Sequence, residues 1–273
     1  MKILSPITHH TTGSRNLKKS LIKYGYDFEF VGIGHKWKGF IESKIKKILE
    51  YLLKAENDIY CVIDGYDILA CDTPSILKNK YLAFNSPIVF GGEKLCFPYN
   101  GTPIEKYKDL PFWKARKYLN SGFYIGNRID LIEMCAWAIS TCEKLGINDD
   151  QKIFCLYANT FPNKVSIDVF QQMIFNTITS IDTNAFESKN NKIYIKSYAS
   201  YPCFIHFPSI KSDGYSRYNK YGKEILGKSF VLMFGSKTWN FFANIPLYFL
   251  IFLITLISLL KFKNWIKSKY NQV

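Results

Sequence analysis

Short apolar runs alternate with longer amphipathic stretches along most of this chain. Residues 1–5 (MKILS) and 28–31 (FEFV) have the length of strands. Residues 59–63 (IYCVI) form an unbroken apolar run, the pattern of a strand covered on both faces of its sheet. Further strands are predicted at 87–91 and 121–127. Between them the period changes. Residues 16–24 read as a helix ended by Gly25, the residue type that most easily adopts a left-handed cap. Ile41, Ile45, Ile48, Leu49 and Leu52 recur at helical spacing. In CDTPSILKN, Asp72 or Thr73 is placed to cap a helix with Pro74 at its first position. Another helix runs from Ile129 to a stop at Gly146, and the next begins near Asp149. Strands alternating with crossover-length helices predict an α/β fold with a largely parallel sheet. After about residue 165 the pattern loosens into short strands, among them 192–195 and 203–206.

The last stretch breaks the alternation. Residues 241–260, FFANIPLYFLIFLITLISLL, carry no charge, and about twenty helical residues span a bilayer core. Trp239 precedes the run, while Lys261, Lys263, Trp265, Lys267 and Lys269 follow it, as at a membrane interface. The expected organisation is a domain over residues 1–235 and a single-pass anchor over 236–273. The lysines beyond the span favour a cytosolic tail, whereas the N-terminus and the cysteines favour a cytosolic domain. MKILSPITHH lacks the apolar centre of a signal peptide and reads as a first strand. The seven cysteines are scattered in apolar surroundings without a CxxC, as buried reduced thiols are. The second orientation, with the large domain facing the cytosol, is the expectation.

Composition narrows the class further. A chain of 273 residues with 48% hydrophobic and 17% aromatic content can bury a full core and is not disordered. The formal charge of +14 raises the question of nucleic acid. No Arg-rich block or zinc-finger spacing accompanies it, so no nucleic-acid partner is expected, and local phosphate binding accommodates the excess.

The chemistry of interest lies in YCVIDGYDILACDTP, where Asp64 and Asp67 interrupt apolar sequence. Residues three apart in a strand point to opposite faces, so the two carboxylates converge only if the chain turns after Ile63. Gly65 makes such a turn easy because it tolerates positive φ. Two converging carboxylates repel unless a cation lies between them, and Mn²⁺ or Mg²⁺ prefers oxygen ligands of this kind. Ligands of open α/β sheets bind beyond the carboxyl ends of strands, where this pair falls. A turn carrying two solvent-exposed aspartates has the same local sequence.

Reading outward, the chain resembles the glycosyltransferase domain of the procollagen lysyl hydroxylases, in which this strand ends in Asp-Ser-Tyr-Asp-Val. Asp64-Gly65-Tyr66-Asp67-Ile68 stands in that place. Thr8, Thr11, Gly13 and Arg15 fall in the family's Thr-rich segment, and GIGHKW (32–37) is similar to its Gly-Leu-Gly-x-x-Trp. GGEKLCFP (91–98) resembles Ser-Ala-Glu-x-x-x-aromatic-Pro, LNSGFYIG (119–126) resembles Leu-Asn-Ser-Gly-Gly-Phe-Ile-Gly, and DDQKIF (149–154) resembles Asp-Asp-Gln-Leu-Phe. The motifs keep their order over roughly residues 1–215.

The resemblance implies a GT-A fold, a UDP-sugar donor and Mn²⁺, with Mg²⁺ as a substitute. By position it makes Asp64, Asp67 and His206 metal ligands. It places Tyr66 along the uridine and Thr8 against the uracil or ribose. Lys44 and Lys211 would neutralise the diphosphate, and Ser121 and Gln151 complete the polar donor contacts. Trp37 and Phe97 are candidates for stacking on substrate. Asp149, Asp150 and Asn120 are the catalytic candidates, the aspartates holding sugar hydroxyls or taking the acceptor's proton. Asp149 and Asp150 also sit where they can cap a helix. The chain departs from the pattern at His206-Phe207-Pro208-Ser209, where the family has His-Gly-Asn-Gly. It has no residues for an iron and 2-oxoglutarate domain, so lysyl hydroxylation is not expected. The leading expectation is a membrane-anchored, metal-dependent transfer of a hexose from a UDP-sugar to a hydroxyl acceptor such as protein hydroxylysine or a glycan. The alternative is a catalytically degenerate GT-A-fold protein that binds nucleotide-sugar or a membrane surface.

Overall fold

The computed structural model describes residues 1–96, 105–111, 115–177, 185–189, 192–208 and 214–232. Its main sheet contains β1 (Lys2–Pro6), β2 (Phe28–Val31), β3 (Ile59–Ile63), β5 (Ile88–Glu93), β6 (Tyr118–Asn127) and β7 (Val165–Asp168). Across the sheet the order is β2-β1-β3-β6-β5-β7. Strands β2, β1 and β3 are mutually parallel, as are β5 and β7, whereas β6 runs antiparallel to both of its neighbours. The expected α/β, largely parallel arrangement is thus observed with one inverted strand at its centre.

Helices α1 (Thr12–Tyr24), α2 (Lys46–Leu52), α3 (Pro74–Ala83), α4 (Arg128–Leu145) and α5 (Asp150–Thr160) supply the connections and cover the sheet. A π-helical turn, Ile41–Ile45, leads into α2. Alternate residues of β3 feed opposite cores. Tyr60 and Val62 pack with Ile48, Tyr124, Leu131 and Phe154, while Cys61 and Ile63 pack with Leu17, Leu21, Phe123 and Phe204. That two-sided burial is the physical reason for the unbroken apolar run.

The helix ends show where local chemistry decides structure. Gly25 (φ 76°) and Gly146 (φ 65°) close α1 and α4 in the left-handed conformation. Helix α1 starts before the predicted 16–24, because Thr11 and Ser14 form a reciprocal capping box. Thr73 occupies the cap position of α3 without a side-chain cap bond. Its neighbour Asp72 is buried, accepts the Thr73 N–H at 2.9 Å and pairs with Lys192 at 2.9 Å.

A smaller sheet flanks the main one. In it, β11 (Phe204–His206) lies between β4 (Ile68–Ala70), antiparallel to it, and β8 (Ile174–Asn176), parallel to it. An antiparallel pair, β9 (Phe186–Lys189) and β10 (Lys192–Ile195), follows β8 in the chain. Helix α6 (Gly214–Leu226) is tied to α1: Lys23 donates to the Ile225 carbonyl, and the Lys19 ammonium reaches Ser229 O at 2.5 Å.

Cys61, Cys71, Cys135, Cys142 and Cys203 are buried, whereas Cys96 and Cys155 are partly exposed, so the expected burial holds for five of the seven cysteines. Among the described residues no helix is long and apolar enough to cross a membrane. The expected span at 241–260 lies outside the described residues, as do Phe97 and Lys211.

Candidate metal and donor site

Two sheets meet where Asp64 leaves β3. The Asp64 N–H donates to Gly122 O at 2.9 Å, extending the antiparallel register of β3 and β6 by one residue. The chain then turns through Gly65 and Tyr66 into Asp67, which precedes β4. Gly65 is not at positive φ, which corrects the expectation for this turn. Its need is space, since a Cβ there would lie 2.0 Å from Ile7 Cγ2. Gly13 is needed for a similar reason, because a Cβ would lie 1.9 Å from the Tyr66 carbonyl oxygen. The Phe207 N–H donates to Asp67 O at 2.9 Å and locks the end of β11 beside the turn. His206, paired with Ile68 on one side and Asn176 on the other, is thereby aimed at both aspartates.

His206 Nε2 lies 3.5 Å from Asp67 Oδ1 and 4.0 Å from Asp64 Oδ2. One ligand atom from each of the three residues falls within 4.8 Å of the others. An octahedral divalent ion with bonds of about 2.1 Å sets neighbouring ligands about 3 Å and opposite ligands about 4.2 Å apart, and the two imidazole–carboxylate separations of 3.5 and 4.0 Å fall in that range. The ring of His206 is buried, which opposes its charge, yet Asp67 and Asp64 raise its pKa above the ordinary histidine value. The cluster therefore attracts positive charge.

Lys44 is buried behind Asp64. Its ammonium donates to Asp64 Oδ1 at 2.7 Å, Asp150 Oδ2 at 2.5 Å and Ser121 O at 3.2 Å. Burial works against this charge, but the Asp150 and Asp64 carboxylates outweigh it and hold the pKa above the ordinary lysine range. Asp149 caps α5 by accepting the Lys152 N–H at 2.7 Å. The predicted capping role is present, and both aspartates also line a cleft of about 410 Å³ together with Asp64, Asp67 and His206.

A polar wall built around Glu93 also lines the cleft. Asn120 donates to Glu93 Oε2 at 3.1 Å and Gln151 donates to Glu93 Oε1 at 2.6 Å. Gln151 Oε1 in turn accepts the Ser121 N–H at 3.1 Å. Burial pushes the Glu93 carboxyl up to about 7, against the lowering effect of the two amides. Sequence reasoning missed Glu93 as a site residue. Its signal was the one used for Asp64, a carboxylate at the end of an apolar strand. Asn176 and Gly122 carry no such signal, and only the fold places them against His206.

Thr8 and Tyr66 meet nearby, the Thr8 N–H donating to Tyr66 Oη at 3.0 Å. Trp37 is half exposed and packs edge-to-face on Phe40, with ring centroids 5.3 Å apart. Phe40, rather than Trp37, lines the cleft.

The acidic cleft lies at the carboxyl end of a mostly parallel α/β sheet, where ligands of such folds bind, and its carboxylate–imidazole cluster is a candidate cation site. Residues 1–229 match the PLOD GT domain, and the chain belongs to this glycosyltransferase-domain family. Among its relatives, an uncharacterized protein of Acanthamoeba polyphaga mimivirus is 28% identical over 208 residues, 72% of this chain and 43% of the relative. The multifunctional procollagen lysine hydroxylase and glycosyltransferase LH3 of Rattus norvegicus is 23% identical over 222 residues, 75% of this chain and 29% of the relative. The chain thus matches less than half the length of either. A solved glycosyltransferase involved in glycosylation of the major capsid of PBCV-1 aligns with a TM-score of 0.44 and 14% identity, covering 81% of this chain and 98% of that one.

Proposed function

We propose that this domain transfers a hexose from a UDP-sugar to a hydroxyl acceptor, using Mn²⁺, or Mg²⁺ in its place, held by Asp64, Asp67 and His206. The observation that carries the reading is the convergence in the cleft of Asp64 and Asp67 with His206, a residue far from them in the sequence. When bound, the ion supplies positive charge to the departing diphosphate. A cleft lined by Asp64, Asp67, Glu93, Asp149 and Asp150 would otherwise repel that group.

The remaining roles belong to the chain's own side chains. Lys44 fixes Asp64 and Asp150 relative to one another, so the ion site and the catalytic wall keep one spacing. Asp150, or the free oxygen of Asp149, receives the acceptor proton or holds sugar hydroxyls. Gln151, Asn120 and Ser121 form the hydrogen-bonding wall for the sugar, and Thr8 with Tyr66 contacts the uridine. Trp37 reaches substrate through its contact with Phe40, while Phe97 and Lys211 complete the donor site. Protein hydroxylysine or a glycan is the acceptor class in keeping with the family. Residues 1–235 form the catalytic domain, anchored by 241–260 and facing the cytosol.

A donor assay tests this reading. The full-length chain with Mn²⁺ is expected to turn over one of UDP-glucose, UDP-galactose or UDP-GlcNAc, and Asp67→Ala to lose that activity. Equal donor binding and turnover by the two proteins would overturn it.

A further inference from the structure

His206 makes a second contact on the side away from the aspartates. Its Nδ1 lies 2.7 Å from Asn176 Oδ1. The orientation of that amide is settled by its other end, because Asn176 Nδ2 lies 2.8 Å from the carbonyl oxygen of Gly92. A carbonyl oxygen only accepts, so the nitrogen must face Gly92 and the oxygen must face His206. An amide oxygen also only accepts, so the proton of this hydrogen bond sits on Nδ1. Nε2 is then the nitrogen whose lone pair is available toward Asp64 and Asp67.

Asn176 is itself held from several sides. Its N–H donates to Gln171 Oε1 at 2.9 Å, and the Arg116 guanidinium donates to its carbonyl oxygen. Gln171 is fully buried and left-handed (φ 54°), a conformation that costs free energy in a residue other than glycine. Its amide donates to Gly92 O at 2.9 Å and to Asp168 O at 2.8 Å, so the strained residue holds both the Asn176 backbone and the Gly92 carbonyl that orients the Asn176 amide. A Cβ at Gly122 would lie 2.3 Å from His206 Cε1, so the glycine leaves the room on β6 that the ring occupies.

We infer that Asn176 is a positioning residue that fixes the proton of His206 on Nδ1 and so presents Nε2 to the ion site. This rests on the metal reading above. Partners of this kind commonly change metal affinity by about 10- to 100-fold when removed.

Two readouts test it on the full-length chain. In metal-free protein labelled with ¹⁵N-histidine, at a pH on the alkaline side of its titration, His206 is expected to show a protonated Nδ1 and an unprotonated Nε2. The signal is assigned by its loss in His206→Gln. A protonated Nε2 in the wild type overturns the inference whatever the metal does. In a titration with Mn²⁺ alone, followed by the free-ion electron paramagnetic resonance signal, Asn176→Leu is expected to weaken binding about 10- to 100-fold. Asn176→Asp, which keeps an acceptor facing Nδ1 but loses the donor to Gly92 O, is expected to restore part of the binding lost in Asn176→Leu. Unchanged affinity in a folded Asn176→Leu protein overturns the inference. Should that variant fail to fold, the wild-type ring spectrum decides alone. Wild-type Mn²⁺ binding that survives Asp67→Ala unchanged would instead overturn the metal reading itself.

Discussion

Two carboxylate regions in this molecule solve opposite problems. Asp168, at the end of β7, is fully buried, and its oxygens accept the N–H groups of Gln172 at 2.7 Å, Met173 at 2.6 Å and Ile174 at 3.1 Å. Its hydrogen-bonding capacity is spent inside the protein, and it shapes the turn that leads to β8. Burial still pushes its pKa up to about 6, against those three amides. Asp67 and Asp64 are partly open to solvent and face an imidazole across gaps of 3.5 and 4.0 Å. A carboxylate whose lone pairs are filled by backbone amides is part of the scaffold. A pair whose lone pairs converge on a shared gap asks for an ion.

The contrast can be broken from either side. The largest effect is expected for Asp67→Ala, which should lower UDP-sugar turnover by about 100- to 1000-fold in a Mn²⁺ assay, as loss of a charge-stabilising group does. Its stability should change little, because the loss of Asp67's attraction for His206 is offset by relief of its repulsion from Asp64. Asp168→Ala should behave in the reverse sense. It leaves three buried donors unmatched and should cost on the order of 3 kcal/mol in urea denaturation. A stable Asp168→Ala protein, or an Asp67→Ala protein that unfolds, would erase the distinction.

Gly122→Ala sharpens it further. The added methyl pushes His206 off its position and should weaken Mn²⁺ binding about tenfold while the sheet stays folded, as far-ultraviolet circular dichroism would report. The smallest effect concerns Glu93, whose folded-state pKa of about 7 exceeds the ordinary value of 4.5. The native protein keeps a proton that the unfolded chain releases between those values. That contribution to stability is complete below about pH 4.5 and is lost as pH rises through about 7. In metal-free protein, Glu93→Gln should flatten this part of the stability profile, read as the urea midpoint at successive pH values. A wild-type profile that rises over the same window would contradict the raised pKa.

Much of the framework was legible because it rests on local rules. The apolar runs of β1, β2 and β3, the glycines after α1 and α4, and Pro74 opening α3 each act through neighbours in sequence. Asp64 and Asp67 were legible as charges out of place in apolar surroundings, and the late histidine through a family resemblance. The inversion of β6 was not, because a buried strand carries the same apolar pattern in either direction. Nor was the true task of Gly65, which is steric contact with Ile7 rather than backbone freedom. Lys44 was expected to meet a diphosphate, yet its ammonium is buried between Asp64 and Asp150, a partnership between residues about 20 and 106 positions apart.

The sequence alone determined where most strands and helices lie and which residue types carry unusual charge, because periodicity and capping act over a few residues. Tertiary structure decided which charges share a site. Asp67, Asn176 and His206 meet only because β4, β11 and β8 pair in one small sheet, and β6 brings Gly122 beneath the ring. Those distances are set by hydrogen bonding and packing between remote segments, and no local pattern encodes them.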